Sequence, residues 1–148
     1  MATIETLIIG GGQAGLATSY CLTQHGREHL VLEKADHPAS AWRRRWDSFT
    51  LVTPNWTFLL PGAEYRRDAP DGFMLRDEIV ATFDRYVSAN NLPVRYGVSV
   101  DSVEPLSDRS GYRVRTENET IEAVNVVVAT GLFPVSYTHL TLPTNREV

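Results

Sequence analysis

The chain has 148 residues, a net charge of −4 and a pI near 5.5, with 43% hydrophobic and 22% charged residues. That size and balance fit one globular domain and exclude a chain-wide basic surface for nucleic acid or an anionic membrane. The single cysteine, Cys21, excludes a disulfide framework or a Cys-x-x-Cys redox pair within this sequence.

In chain order, "IETLIIG" is short, apolar and partly β-branched, and predicts a buried strand ending at Gly10. "QAGLATSYCLTQHG" predicts a helix with an apolar stripe through Ala14, Leu16, Ala17, Cys21 and Leu22, stopped at Gly26. On this reading Cys21 is a small core residue. "EHLVLEK" predicts a second strand that closes on Glu33. Residues 35–72 are rich in Pro, Trp and Arg and weakly periodic, and predict a long excursion of short helical and extended pieces. "RDEIVATFDRYVSANN" predicts a helix, with Asp77 and Glu78 suited to its first turn. "PVRYGVSVDSVEPL" and "GYRVRTEN" alternate as antiparallel strands do, and "AVNVVVATG" is a solid apolar run suited to an interior parallel strand. The order implies an α/β layered sheet with an inserted β-meander.

The chemistry is concentrated in "LIIGGGQAGLA". Gly10, Gly12 and Gly15 match G-x-G-x-x-G between a strand and a helix. Gly10 allows the tight turn, Gly12 lets a pyrophosphate approach the backbone, and Gly15 lets the helix pack close to the sheet. The helix start offers free N–H groups and a partial positive charge to phosphate. Glu33 follows Gly15 by 18 residues, where a ribose-binding carboxylate belongs. A carboxylate accepts from a ribose 2′-hydroxyl and repels a 2′-phosphate, so the nucleotide is NAD or the ADP half of FAD, not NADP. The four histidines, His25, His29, His37 and His139, lack metal-ligand spacing, so no metal site is expected.

"GGGQAGLA", "VLEK", "AWRRRWDSFTLVTPNW", "DGFMLRDEIVATFDRY" and "NVVVATGLF" together resemble the N-terminal FAD-binding domain of flavin-containing monooxygenase-like oxidoreductases, over about residues 5 to 133. The resemblance implies a three-layer Rossmann-like fold and FAD as the cofactor. It implies that Gly10, Gly12, Gln13, Ala14 and Gly15 cradle the pyrophosphate and that Glu33 binds the adenosine ribose. It places Ala41, Trp42 and Arg43 along the FAD, Thr53 and Asn55 in a stretch that approaches the flavin, and the Val100 backbone at adenine. Ala129, Thr130 and Gly131 match a strand end that passes close to the dinucleotide. By resemblance the intact relative takes hydride from NADPH onto FAD, and reduced flavin with oxygen then oxygenates a small molecule. The NADPH-binding domain of such proteins is not in this sequence. A flavin-dependent NAD(P)H oxidoreductase without oxygenation and a non-catalytic FAD module are the alternative functions. Disulfide reductases share the FAD domain but use a cysteine pair.

After "VVVATGLFP" the pattern breaks. "VSYTHLTLPT" can be read back codon for codon into a transposase-type sequencing-library adapter. We therefore expect residues 1–134 to be a partial, truncated FAD-binding domain and residues 135–148 to be a non-native tail. No apolar run approaches the ~20 residues of a membrane span, and the N-terminus lacks the basic region of a signal peptide, so a cytoplasmic location is expected. No side chain present is assigned as a catalytic acid, base or nucleophile, and the oligomeric state is not legible.

Overall fold

A computed structural model of the chain describes residues 3–132; the expected tail, His139 included, lies outside the described residues. The elements are β1 (Thr3–Ile9), α1 (Gln13–Gln24), β2 (His29–Glu33), α2 (Ser40–Arg43), a 3-10 turn (Asn55–Thr57), α3 (Arg76–Ala89), β3 (Val94–Tyr96), β4 (Val100–Pro105), β5 (Tyr112–Thr116) and β6 (Thr120–Val128). They form one six-stranded sheet in the order β3-β2-β1-β6-β5-β4. β3, β2, β1 and β6 run parallel, whereas β5 is antiparallel to both β6 and β4. The expected α/β Rossmann-like sheet with its inserted meander is therefore the observed one. β6 serves both parts: Thr120–Ala123 pairs with β5, and Glu122–Val128 continues along β1.

Three layers follow from the alternation of side chains along the parallel strands. Leu7, Ile9 and Leu32 point to one face, where Val114, Ile121 and Ala123 of the meander cover them. On the other face Ile8 meets α1 at Gly15. The helical layer has its own core, built from Leu16, Ile79, Phe83 and Tyr86 with Phe49, Leu51, Phe58, Leu60 and Met74 of the excursion. The excursion thus packs as part of the domain, stitched by the Thr50–Leu75 bridge and by Leu51 N–H donating to Met74 C=O at 2.9 Å. As expected, α3 begins on its acids: Glu78 Oε2 accepts the Leu75 N–H at 3.0 Å.

The apolar face of α1 differs from the expected stripe. Gly15, Leu16 and Ser19 are buried, whereas Ala14 and Cys21 are exposed. The cause is the glycine: Gly15 has to face the sheet, which fixes the rotation of the helix and turns Ala14 and Cys21 outward. Ser19, one turn on, is fully buried and satisfied by His29. At the other margin, beyond Ala123 the edge of β6 away from β1 has no partner among the described residues, and Val124 and Val128 stand 48% and 68% exposed.

Candidate functional site

The carboxyl ends of β1, β2 and β6 meet at the glycine turn. Gly10 adopts φ +110°, and a Cβ there would stand 2.3 Å from the Ala129 carbonyl oxygen and 3.2 Å from Thr130 Cα. The "ATG" strand end therefore lies directly against the turn, with the Ala129 N–H donating to Ile9 C=O at 2.8 Å. Gly15 approaches from the helix side: its Cβ would lie 1.9 Å from the Gly10 carbonyl oxygen. Both glycines are compelled by backbone contact alone.

Gly12 is different. Its φ of −85° suits any residue, and a Cβ there would meet nothing within 4 Å. The protein itself does not require glycine at this position; the space beside it is open. Gly12 caps α1 without a side-chain hydrogen bond, and the first intrahelical bond runs from Leu16 N–H to Gly12 C=O at 2.9 Å. The N–H groups of Gln13, Ala14 and Gly15 hence point out of the helix start. No acidic side chain occupies the first turn. Free amides, positive dipole end and open space form a cradle for an anion.

Glu33 ends β2 beside this cradle and is only 6% exposed. Its Oε2 accepts the Gly11 N–H at 2.6 Å and its Oε1 accepts the Ala35 N–H at 2.8 Å. The loop after β2 folds back, so that Ala39 N–H donates to Gly11 C=O at 3.1 Å. Ala39 is buried and left-handed, with φ +54°. It starts α2, which carries Ala41, Trp42 and Arg43. Ala41 is exposed, and Trp42 packs on the helical core with its ring 5.9 Å from that of Phe49. The Arg43 guanidinium turns to α3: Nε donates to Pro38 C=O at 3.1 Å and the terminal nitrogen pairs with Asp84. Arg43 thus braces α2 against α3, its charge already matched.

Val98 N–H donates to Glu33 C=O at 3.0 Å, which brings the start of β4 and Val100 to the same rim. Val100 is half-buried, and the β4–β5 register shifts between it and Ser102. Thr130 and Gly131 are exposed, and a Cβ on Gly131 would meet open space. Asn55 opens the 3-10 turn of the excursion. It is buried within its own loop, where Nδ2 donates to Ala69 C=O at 2.8 Å and Oδ1 accepts the Met74 N–H at 2.6 Å. Thr53 is exposed, with its hydroxyl 2.8 Å from that of Thr57.

Two participants were missed in the sequence. Gly11 occupies an x position of the motif, yet its amide holds Glu33, and a Cβ there would sit 3.0 Å from Glu33 Cβ. The third consecutive glycine was the available signal. Nothing in periodicity or composition marks Ala39 as left-handed. Among the described residues no cluster of His, Cys, Asp or Glu has the arrangement of a metal site, and no helix is long and apolar enough to cross a membrane.

Residues 7–141 match the family model described as pyridine nucleotide-disulphide oxidoreductase. An uncharacterized CzcO-like oxidoreductase of Geobacillus kaustophilus is 35% identical over 134 residues, 90% of this chain and 38% of the relative. A probable indole-3-pyruvate monooxygenase of Arabidopsis thaliana, YUCCA10, is 36% identical over 84% of this chain and 34% of its own length. Among solved structures, a flavin-containing monooxygenase from Stenotrophomonas maltophilia superposes with a TM-score of 0.78 at 29% identity, covering 88% of this chain and 39% of that one. A bacillithiol disulfide reductase from Staphylococcus aureus shares the fold with a TM-score of 0.79 at 19% identity, over 88% of this chain and 39% of that one. The chain spans well under half the length of these relatives. With its glycine turn, closing acid and mixed sheet in place, the chain belongs to the pyridine nucleotide-disulphide oxidoreductase family.

Proposed function

We propose that this chain is the FAD-binding part of a cytoplasmic flavin-dependent monooxygenase that uses NADPH and O2 to oxygenate a small molecule. The observation that carries the reading is Gly12: an open, glycine-walled space at a helix start whose amides are uncapped, beside a buried carboxylate. The residues fit the coenzyme. The amides of Gly12, Gln13, Ala14 and Gly15 hold the diphosphate, and Gly10 brings Thr130 and Gly131 alongside. Glu33 faces the adenosine end, with Val100 at the adenine, and Ala41 and Trp42 extend along the remainder. Arg43, held in place by Asp84, lines the coenzyme with them. The similarity to proteins named as monooxygenases supports this chemistry over other members of the family. Bound FAD would supply hydride acceptance and oxygen activation; the chain's residues bind it, orient it and keep its diphosphate neutralised.

The division into a domain at 1–134 and a non-native tail at 135–148 belongs to the same proposal. Resequencing the locus checks it, because a natural gene carries the tail codons in genomic DNA. The function itself is tested on the gene product of the resequenced locus. Flavin bleaching by NADPH, with oxygen uptake matched by a substrate that gains one oxygen atom, is expected. Bound flavin that NADPH never bleaches would overturn the proposal in favour of a non-catalytic module. Bleaching without an oxygenated product would leave an oxidoreductase only.

A further inference from the structure

We propose that the groove between α3 and residues 62–67 binds a small monocarboxylate with an apolar body, at a site apart from the coenzyme cradle. The groove has a volume of about 400 Å³, the size of a small-molecule site, and neither the glycine turn nor Glu33 lines it.

One helix face and one strip of chain build it. Thr82, Arg85, Tyr86 and Ala89 recur at helical spacing and line the groove from α3. The strip from Gly62 to Arg67 forms the opposite wall, and that wall is fastened at both ends. At one end the Tyr86 hydroxyl donates to Pro61 C=O at 2.7 Å, and the Tyr86 ring stacks on Tyr20 with centroids 5.4 Å apart. Gly62 turns the chain there at φ +76°, with Tyr20 packed where a Cβ would stand. At the other end Arg67 pairs with Glu78 at 3.2 Å. The groove therefore exists before a ligand arrives, and binding does not have to order its walls.

The chemistry of the walls gives the ligand class. Phe58, Met74 and Tyr86 lie at the base, each 6% exposed or less, with the half-buried Ala63 and Tyr65 packed on the same core. They offer a non-polar ring or chain a place out of water. Charge at the rim is unequal, because three arginines line the groove against one glutamate. Two of the three are matched, Arg67 by Glu78 and Arg66 by Glu64 at 3.5 Å. Arg85 is not. Its hydrogen-bond contact is with the Thr82 hydroxyl at 3.5 Å, and no carboxylate pairs with it among the described residues. The neighbouring Asp84 is taken by Arg43. One unmatched guanidinium calls for one negative charge, and its planar fork of donors fits a carboxylate. Glu64 on the rim repels a second negative charge, which disfavours a phosphate dianion.

The test titrates phenylacetate into the full chain and follows the backbone amide spectrum. Three comparisons separate its parts: 2-phenylethanol lacks the charge, acetate lacks the ring, and Arg85→Gln lacks the guanidinium. Arg85 is exposed, so the variant is expected to keep its spectrum outside the groove. Phenylacetate is expected to saturate with a Kd in the millimolar range, shifting Thr82, Arg85, Ala89 and residues 62–67. Arg85→Gln should weaken it about tenfold, the worth of one charge-assisted hydrogen bond, and should leave 2-phenylethanol unchanged. Arg85→Lys should retain part of the affinity, and acetate should bind more weakly than phenylacetate. Shifts that never saturate, affinity that Arg85→Gln leaves unchanged, or 2-phenylethanol binding as tightly as phenylacetate would overturn the inference. Displacement of phenylacetate by ADP would overturn it too, by putting the acid in the coenzyme cradle. The FAD reading stands or falls separately, because Arg85→Gln touches no part of that cradle.

Discussion

Gly15 sits so close to Gly10 that a Cβ on it would stand 1.9 Å from the Gly10 carbonyl oxygen. The contact is backbone on backbone and cannot be relieved by a rotamer change. Gly15→Ala should therefore push α1 off the sheet and destabilise the domain by about 1–3 kcal/mol or more. Gly12→Ala should cost under about 1 kcal/mol, because φ is ordinary and the space is open. Its methyl instead enters the ligand's space, so affinity for a dinucleotide falls while the melting temperature holds. Thermal denaturation of the two variants beside cofactor titration separates them; equal stability losses would contradict the assignment of Gly12 to a ligand.

Ser19 Oγ lies 2.8 Å from His29 Nε2, and His29 Nδ1 lies 2.8 Å from the Arg27 carbonyl. A carbonyl only accepts, so Nδ1 carries the hydrogen and the neutral ring accepts from the serine. Ser19→Ala removes the hydroxyl that donates to the half-buried His29 ring. A loss of about 1 kcal/mol is expected, measured by denaturant unfolding.

Asn55 holds the excursion together. Asn55→Ala leaves the Met74 N–H and the Ala69 carbonyl without the partners that stand at 2.6 and 2.8 Å. The expected cost is about 2–4 kcal/mol, with proteolysis between residues 50 and 75 as its sign. Asn55→Asp keeps the acceptor for Met74 but sets a carboxylate against the Ala69 carbonyl, so it should rescue only part of the loss.

Tyr86 is buried against Tyr20, with its hydroxyl donating to Pro61 C=O at 2.7 Å. Burial, with smaller repulsions from Tyr20, Cys21 and Glu64, holds its pKa well above the ordinary tyrosine value of 10. The folded-state value is raised, so this stability is complete below pH 10 and is lost as pH climbs above it, where the unfolded chain ionises and the folded one does not. Alkaline unfolding should thus steepen above about pH 10. Tyr86→Phe should flatten that dependence, at the expense of one hydrogen bond at neutral pH.

Much of this architecture is legible in the residues themselves. β1 and β2 announce themselves as short apolar runs because their carboxyl halves are covered on both faces, and α1 and α3 by period and punctuation. β6 reads as an interior strand because β1 runs along it. The errors share a cause, which is long-range contact. The buried side of α1 is decided by Gly15 meeting Gly10, and this exposes Ala14 and Cys21, which local periodicity assigns to the core. The pairing of Arg43 with Asp84, 41 residues away, is likewise invisible to local pattern. Glu33 was legible as an acid at the right distance, but its amide partners depend on how two loops fold over it.

The central claim is that the uncapped start of α1 receives the diphosphate of FAD. Its most direct test is titration of the purified chain with FAD, followed by quenching of flavin fluorescence, with and without Gly12→Val. The account predicts saturable one-to-one binding that ADP displaces and that Gly12→Val abolishes while the protein stays folded. Absence of binding to the wild type, or binding that Gly12→Val leaves unchanged, would contradict it.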